Sequence, residues 1–420
     1  MSIHLSKFGK IADATIELNG LTVIAGRNDT GKSTIGKALY SLIKSIKDFP
    51  QLYVDMIQQR AYVDLIHLVF ELLKSYKGPK ENPLYKQLLE MRSATFSLDI
   101  LSGILSKSKN IEQYLEIVNQ YIDSEDVDSD LKEKVYNIAS LLHREASDSE
   151  KFSSIVFNIF GKNFKRQFKN SVTKENAVIS YSIGQNEIAK IQFDEDVRPE
   201  GFLDVEHQST SFSDATLIES PLYLEESHKS EMSFAEDLKK KINLARKRFS
   251  ETDNNIDIIS KISQLLEDAE FEYADKQDEW WKYTVQKGAE PLFIENIASG
   301  AKSIGILYIL LKTGILTSDS LLILDEPENH LHPAWQIQYA NILVAMVAAG
   351  FHIILTSHSP TFIHALAKYS NDYIKDDSKI NFYLAEKIPN TNYSKIEQVN
   401  GDINKIFENL TSPDDVLYFG

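Results

Sequence analysis

A complete phosphate-binding pattern stands near the start of this chain, and the residues that could finish its chemistry come almost three hundred positions later. The loop reads Gly26-Arg27-Asn28-Asp29-Thr30-Gly31-Lys32-Ser33 and matches GxxxxGK[ST] in full. An apolar run, Leu21-Thr22-Val23-Ile24-Ala25, precedes it, and a helix over about 32–47 is expected to follow. In that setting, loop N–H groups and the helix N-terminus point at phosphate oxygens. Gly26 and Gly31 let the backbone approach closely. Lys32 is expected to pair with the β- and γ-phosphates, and the Ser33 hydroxyl to hold Mg²⁺. The nucleotide-binding set is therefore Gly26, Asn28, Gly31, Lys32, Ser33 and Thr34.

The remaining pieces cluster after residue 297. Residues 321–328 read LLILDEPE, four apolar positions of a buried strand with two carboxylates at its carboxyl end, where open parallel sheets bind ligands. Asp325 is placed to bind Mg²⁺, directly or through water, and Glu326 to orient and deprotonate the attacking water. The next buried strand ends in Thr356-Ser357-His358-Ser359-Pro360, which offers His358 to a γ-phosphate. Ile297-Ala298-Ser299-Gly300-Ala301-Lys302-Ser303 opens a helix that Ser299 is expected to cap, leaving N–H groups for a second anion site.

Between these ends the chain reads as a tract of mainly helical spacing over 48–170. Short strands flank Gly184 within 177–193, and a strand at 214–224 precedes two helices near 234–249 and 254–268. Four parts follow: 1–47, the first part of the nucleotide-binding head; 48–213, a mainly helical insertion; 214–290, a strand–helix–helix–strand return; and 291–420, the rest of the head. Helices alternate with buried strands in the last third, so the expected class is α/β with helices covering a mixed sheet.

Bulk properties narrow the function. The chain has 420 residues, no cysteine and a net charge of −16, which removes disulfides and cysteine chemistry and argues against a uniformly basic nucleic-acid coat. No run of 18 apolar residues occurs and the first residues lack an apolar signal region, so a cytoplasmic protein without a membrane partner is expected. Two basic clusters, Lys162, Lys165, Arg166 and Lys169, then Lys239, Lys240, Lys241, Arg246, Lys247 and Arg248, read as solvated helix faces or as a track for nucleic-acid phosphates. Trp280-Trp281 reads as packed, and His330 and His332 as structural supports of the loop after Glu326.

These motifs in this order resemble the ATP-binding-cassette class of ATPases. That resemblance implies an ABC-type P-loop head binding ATP and Mg²⁺. It also implies a homodimer or higher homo-oligomer in which Ser299 and Gly300 of one subunit close over the nucleotide of another. The 266 positions from Ser33 to Ser299 exceed a transporter domain's spacing and match better the branch of SMC and RecF-type proteins. Within it, DEPENHLHPAWQ followed by TSHSP looks like the OLD-like ATPases of antiphage defence systems such as Septu, Gabija and PARIS. That likeness implies a sensor or regulator acting on a separate effector protein, triggered by nucleic acid or a phage protein. Only 62 residues follow His358, too few for the Toprim nuclease module of OLD nucleases. The alternative is a DNA-binding ATPase of repair or replication. Three departures from the family stand out. Asp29 replaces a glycine, and its charge near the phosphates is expected to lower affinity or turnover. The signature reads SGAK where relatives carry SGGQ or SGEK, so Ala301 offers no side-chain contact. The Mg²⁺-sensing glutamine has no clear position among Gln51, Gln58, Gln185 and Gln192.

Overall fold

The computed structural model describes residues 1–47, 49–95, 111–124, 128–194, 199–207, 212–224, 233–248, 256–267, 269–273, 281–285 and 289–419. The chain opens with strands β1 (Ser2–Ser6), β2 (Ile11–Glu17) and β3 (Leu21–Gly26), then helix α1 (Lys32–Ile46). Helices α2 (Gln51–Ser75), α3 (Pro83–Thr95), α4 (Ile111–Ser124), α5 (Ser129–Leu142) and α6 (Asp148–Phe164) follow. Next come β4 (Ala177–Ile183), β5 (Asn186–Phe193), β6 (Glu200–Leu203), β7 (Ala215–Ile218), α7 (Ser233–Arg248) and α8 (Ile256–Leu265). A small antiparallel sheet is built from β8 (Glu270–Tyr273), β9 (Trp281–Thr284) and β10 (Leu292–Phe293). The chain ends with α9 (Ser299–Lys312), β11 (Leu321–Asp325), α10 (Pro333–Ala348), β12 (His352–Ser357), α11 (Pro360–Tyr373), β13 (Ile380–Lys387), β14 (Ser394–Gln398) and α12 (Asn404–Phe419).

Two compact units result, one from Met1–Lys47 with Val156–Gly420 and one from Asp48–Ile155. The smaller is helical. Its α2 buries Ala61, Leu65, Leu68, Val69 and Leu72, three and four positions apart, against Leu88 and Met91 of α3, Val118 of α4, and Val135 and Ile138 of α5.

The larger unit is organised by an eleven-stranded sheet in the order β6-β5-β4-β1-β2-β14-β13-β3-β12-β11-β7. Its β13-β3-β12-β11-β7 portion is parallel, while β1, β2, β4, β5 and β6 form an antiparallel wing. Buried on both faces, the parallel strands are continuous apolar runs: Leu21, Val23, Ile24 and Ala25 in β3, and Leu321, Leu322, Ile323 and Leu324 in β11, are all at most 1% exposed. The expected α/β class with a mixed sheet is the class adopted.

Two differences from the sequence reading matter. The tract expected as one insertion over 48–213 divides at residue 155. After it, β4 pairs with β1 (Ser2↔Ser182, Ile3↔Tyr181), so β4–β6 extend the head's own sheet. Such a ladder joins residues far apart in sequence, and no local pattern carries it. Likewise β13 and β14, from the last fifth of the chain, lie between β2 and β3, separating strands that are consecutive in sequence.

Candidate nucleotide site

Register places the parallel strands' carboxyl ends side by side. Leu355 pairs with Val23, Thr356 with both Ile24 and Asp325, and Leu324 with Ile218. The residues leaving those ends are therefore brought together: the phosphate loop after β3, Ser357-His358 after β12, Asp325-Glu326 at β11, and Glu219 after β7.

The loop has the backbone its motif requires. Gly26 has φ 155° and Gly31 φ 84°, both in the region that favours glycine, and a Cβ on Gly26 would collide with the Ala385 carbonyl. Lys32 is 4% exposed, and its ammonium donates to the carbonyls of Gly26 and Arg27, each at 2.9 Å. Burial pushes its pKa below the ordinary value, against the pull of Glu326, Asp325 and Glu328. Behind the loop, α1 buries Ile35, Leu39, Leu42 and Ile43, and Gly36 packs against Ile323 of β11. Each such aliphatic contributes about 1.5–3 kcal/mol, enough to fix the helix N-terminus against the sheet.

Asp29, at φ 65°, adopts the left-handed backbone that aspartate tolerates better than most residues. Its carboxylate pairs with Lys10 and, at 3.0 Å, with Lys387, and these two hydrogen bonds hold its pKa below the usual carboxylate value. The charge expected to trouble the phosphates is thus faced by two ammonium groups.

Asp325 accepts the Thr356 hydroxyl at 2.6 Å and also hydrogen-bonds Ser33, while burial raises its pKa. Ser33 and Asp325 thus meet directly, a hydroxyl and a carboxylate that could hold a divalent cation between them. Glu326 has φ 48°, with its N–H donating to the Thr356 carbonyl at 3.2 Å and hydroxyl at 3.1 Å. Left-handed backbone in a glutamate is a costly feature of the kind that persists at functional sites. Its Oε1 lies 3.2 Å from His358 Nδ1 and 3.8 Å from Lys32 Nζ, and its Oε2 accepts Asn329 Nδ2 at 3.0 Å.

Beneath this pair lies Glu328, 2% exposed, which sequence reasoning passed over. Its Oε1 accepts the Ser357 hydroxyl at 2.6 Å and the His358 N–H at 3.1 Å, and burial raises its pKa. Glu219 was also missed. It follows Ile218, the last β7 residue paired with β11, and its charge adds to the raising of the Asp325 pKa. Its own carboxylate is held by Lys37 at 2.6 Å and the Tyr223 hydroxyl at 3.3 Å. Of the glutamines considered, Gln51 and Gln58 fall in the helical unit, Gln185 in the β4–β5 turn, and Gln192 bonds Asp194.

Ser299 does not cap its helix. The N-cap is Ala298, with no side-chain cap bond, and Ser299 is the first helical residue. Gly300 instead lets the helix start press on the loop after Glu326, where a Cβ would meet Leu331 Cδ2 at 2.7 Å and the His330 carbonyl at 3.0 Å. His332 caps α10, its Nδ1 accepting Ala334 N–H at 3.3 Å. The Trp280-Trp281 reading lies outside the residues whose side chains are described.

A cleft of about 1290 Å³ runs from Asn28–Thr34 and Glu326 to the segment after α6, lined there by Phe164, Arg166, Gln167, Phe168, Lys169 and Lys174. The first basic cluster is thus no single helix face. The helix ends at Phe164, Lys165 and Arg166 turn left-handed, and Arg166 and Lys169 line the nucleotide cleft. In the second cluster Lys241 is 8% exposed and pairs with Asp214 and Asp237 at 3.0 and 3.1 Å.

A phosphate loop on a parallel sheet, with a serine–carboxylate pair and a second carboxylate at its mouth, is the arrangement of a P-loop ATPase site. The family model for the AAA ATPase domain matches residues 1–363, and the chain belongs to that family. No curated protein matches it. Among solved structures, it is similar to the SMC head domain from Thermotoga maritima (10% identity, 95% of this chain and 98% of that one covered, TM-score 0.40). It is also similar to an SmcHead bound to the C-winged helix domain of ScpA (11% identity, 97% and 98% covered, TM-score 0.45).

Proposed function

We propose that this chain hydrolyses ATP and that ATP-dependent assembly of its copies controls a separate effector protein in an antiphage defence system. The observation that carries the ATPase reading is Glu326, held in a strained backbone with its carboxylate between Lys32 and His358 at the mouth of the phosphate loop.

Each residue then has a role. Loop N–H groups from Asn28 to Thr34 and the ammonium of Lys32 bind the phosphates, Lys32 releasing two backbone carbonyls to do so. Ser33 and Asp325 hold Mg²⁺, which, when bound, offsets phosphate charge and fixes the geometry of the γ-phosphoryl group. Glu326 takes the proton of the attacking water. His358 donates to the γ-phosphate and ties it to Glu326. Ser299 is absent from the cleft lining within one copy. A second copy supplying Ser299 and Gly300 would close the site, so assembly and hydrolysis become one event.

Two inactive variants test this. Lys32→Ala and Ser299→Arg, each inactive alone, should regain hydrolysis when mixed, because a mixed pair holds one site with both its loop and its opposing serine intact. No recovery would remove the two-copy site. Glu326→Gln should keep ATP binding and lose about 10²–10⁴-fold in turnover. Defence against phage lost in both Lys32→Ala and Glu326→Gln, with a neighbouring effector gene required, would support the regulatory reading. Hydrolysis stimulated by DNA and falling steeply with salt would instead favour a repair or replication ATPase.

A further inference from the structure

The phosphate loop occupies only one end of its cleft. At about 1290 Å³ the cleft exceeds what a triphosphate needs and lies above the usual range for small-molecule sites. With the phosphates at Gly31–Thr34, the cleft gives the nucleoside half of a nucleotide room toward the opposite wall, made by the turn after α6.

That wall is built with unusual care. Lys165, Arg166 and Lys174 all have left-handed backbone, at φ 48°, 63° and 57°. Asn170, 2% exposed, locks it. Its Nδ2 donates to the carbonyls of Gly9 and Asn392, both at 3.1 Å, and its Oδ1 accepts the N–H of Val172 at 3.0 Å. Gly9 N–H donates to the Phe168 carbonyl at 2.8 Å, which pins the turn to the β1–β2 connection beside the phosphate loop. Three strained residues held by a buried amide make a rigid surface, and strain of this kind is retained where geometry serves binding.

Arg166 and Gln167, with Ser171 and Lys174, are the exposed residues that this surface presents to the cleft. The Arg166 guanidinium lies over the Phe157 ring, 4.9 Å from its centroid, so an aromatic supports it. Its plane is the right shape to stack on a flat heterocycle. Gln167 carries a donor and an acceptor suited to a base edge.

We propose that the turn at 165–174 is the nucleobase wall of this site, with a purine stacked on Arg166 and its edge read by Gln167. This deepens the ATPase reading and rests on it. The test compares ATP with inorganic tripolyphosphate by titration calorimetry. Arg166→Ala should weaken ATP about tenfold and leave tripolyphosphate unchanged. Arg166→Lys, which keeps the charge but loses the plane, should behave like alanine. Equal weakening of both ligands, full rescue by lysine, or no change in either would overturn the proposal. Failure of the phosphate-loop reading looks different: wild type would bind neither ligand, or Lys32→Ala would bind both normally. Because Arg166 is exposed, unaltered melting of the variants separates binding from folding.

Discussion

Lys387 Nζ lies 3.0 Å from Asp29 Oδ2, so the strand β13, near the end of the chain, reaches the phosphate loop at its start. With Lys10 on the other oxygen, Asp29 is a shared counter-ion, and its charge is offset before any phosphate arrives. Substituting Asp29→Gly should tighten ATP binding several-fold, because both lysines become free to face phosphate. Lys387→Ala should weaken it by a similar factor. All three groups are half exposed, so both effects should shrink at high salt. Titration at two ionic strengths decides; equal affinities at low salt would show that the trio is electrostatically idle.

Glu219 follows the end of β7, just past Ile218, which pairs with Leu324 beside Asp325. Its charge bears on Asp325, and its carboxylate is held by Lys37 at 2.6 Å. Glu219→Ala should raise the Mg²⁺ concentration needed for half-maximal ATP binding several-fold. Glu219→Gln, which keeps a carbonyl oxygen there, should lie close to wild type. A Mg²⁺ titration followed by nucleotide fluorescence separates these outcomes, and identical curves for all three proteins would exclude Glu219 from the metal's surroundings.

Just before β7, Lys44 of α1 and Lys241 of α7 converge on Asp214 at 2.5 and 3.0 Å, and Lys47 joins them at 3.3 Å. Burial alone would raise the Asp214 pKa, but the three ammonium groups outweigh it and hold the carboxyl well below its ordinary value. A depressed folded-state pKa means that the stabilisation is present above the unfolded value, near 3.9, and is lost as pH falls toward the folded one. Asp214→Asn should therefore cost about 3 kcal/mol at pH 7, by leaving buried ammonium groups under-compensated. It should also flatten the loss of stability below about pH 4. Denaturant midpoints from pH 3 to 7 measure both.

The sequence made the site's centre legible for a physical reason. The loop from Gly26 to Ser33, the carboxylates after β11 and the histidine after β12 each lie at the end of a contiguous apolar strand, and parallel sheets bind ligands at those ends. What was hidden depends on pairing at a distance. Nothing in Ala215–Ile218 announces that it flanks β11, so Glu219 had no address. Helical spacing runs on to residue 170 in the sequence, but the helix ends at Phe164, and the left-handed positions beyond it are lysine and arginine rather than glycine, so the cleft wall gave no turn signal. Ser299 was assigned a capping role because serine favours that position, yet the chain enters α9 one residue earlier, at Ala298.

His358 owes its position to Glu328. The buried carboxylate accepts both the His358 N–H and the Ser357 hydroxyl, and its Oε1 lies 3.9 Å from the imidazole Nδ1 that also faces Glu326. Glu328→Ala would leave a buried hydroxyl and a backbone N–H without their acceptor, at about 1–3 kcal/mol each, and would free the histidine from its place. Glu328→Gln keeps an acceptor oxygen for both donors. If Glu328 positions His358, alanine should lower kcat while KM for ATP stays near wild type, since the loop that binds the phosphates is untouched. Glutamine should recover most of kcat. A purely structural role predicts instead that kcat per folded molecule is unchanged in both variants, with only the melting temperature falling. Single-turnover hydrolysis on protein counted by active-site titration distinguishes these patterns.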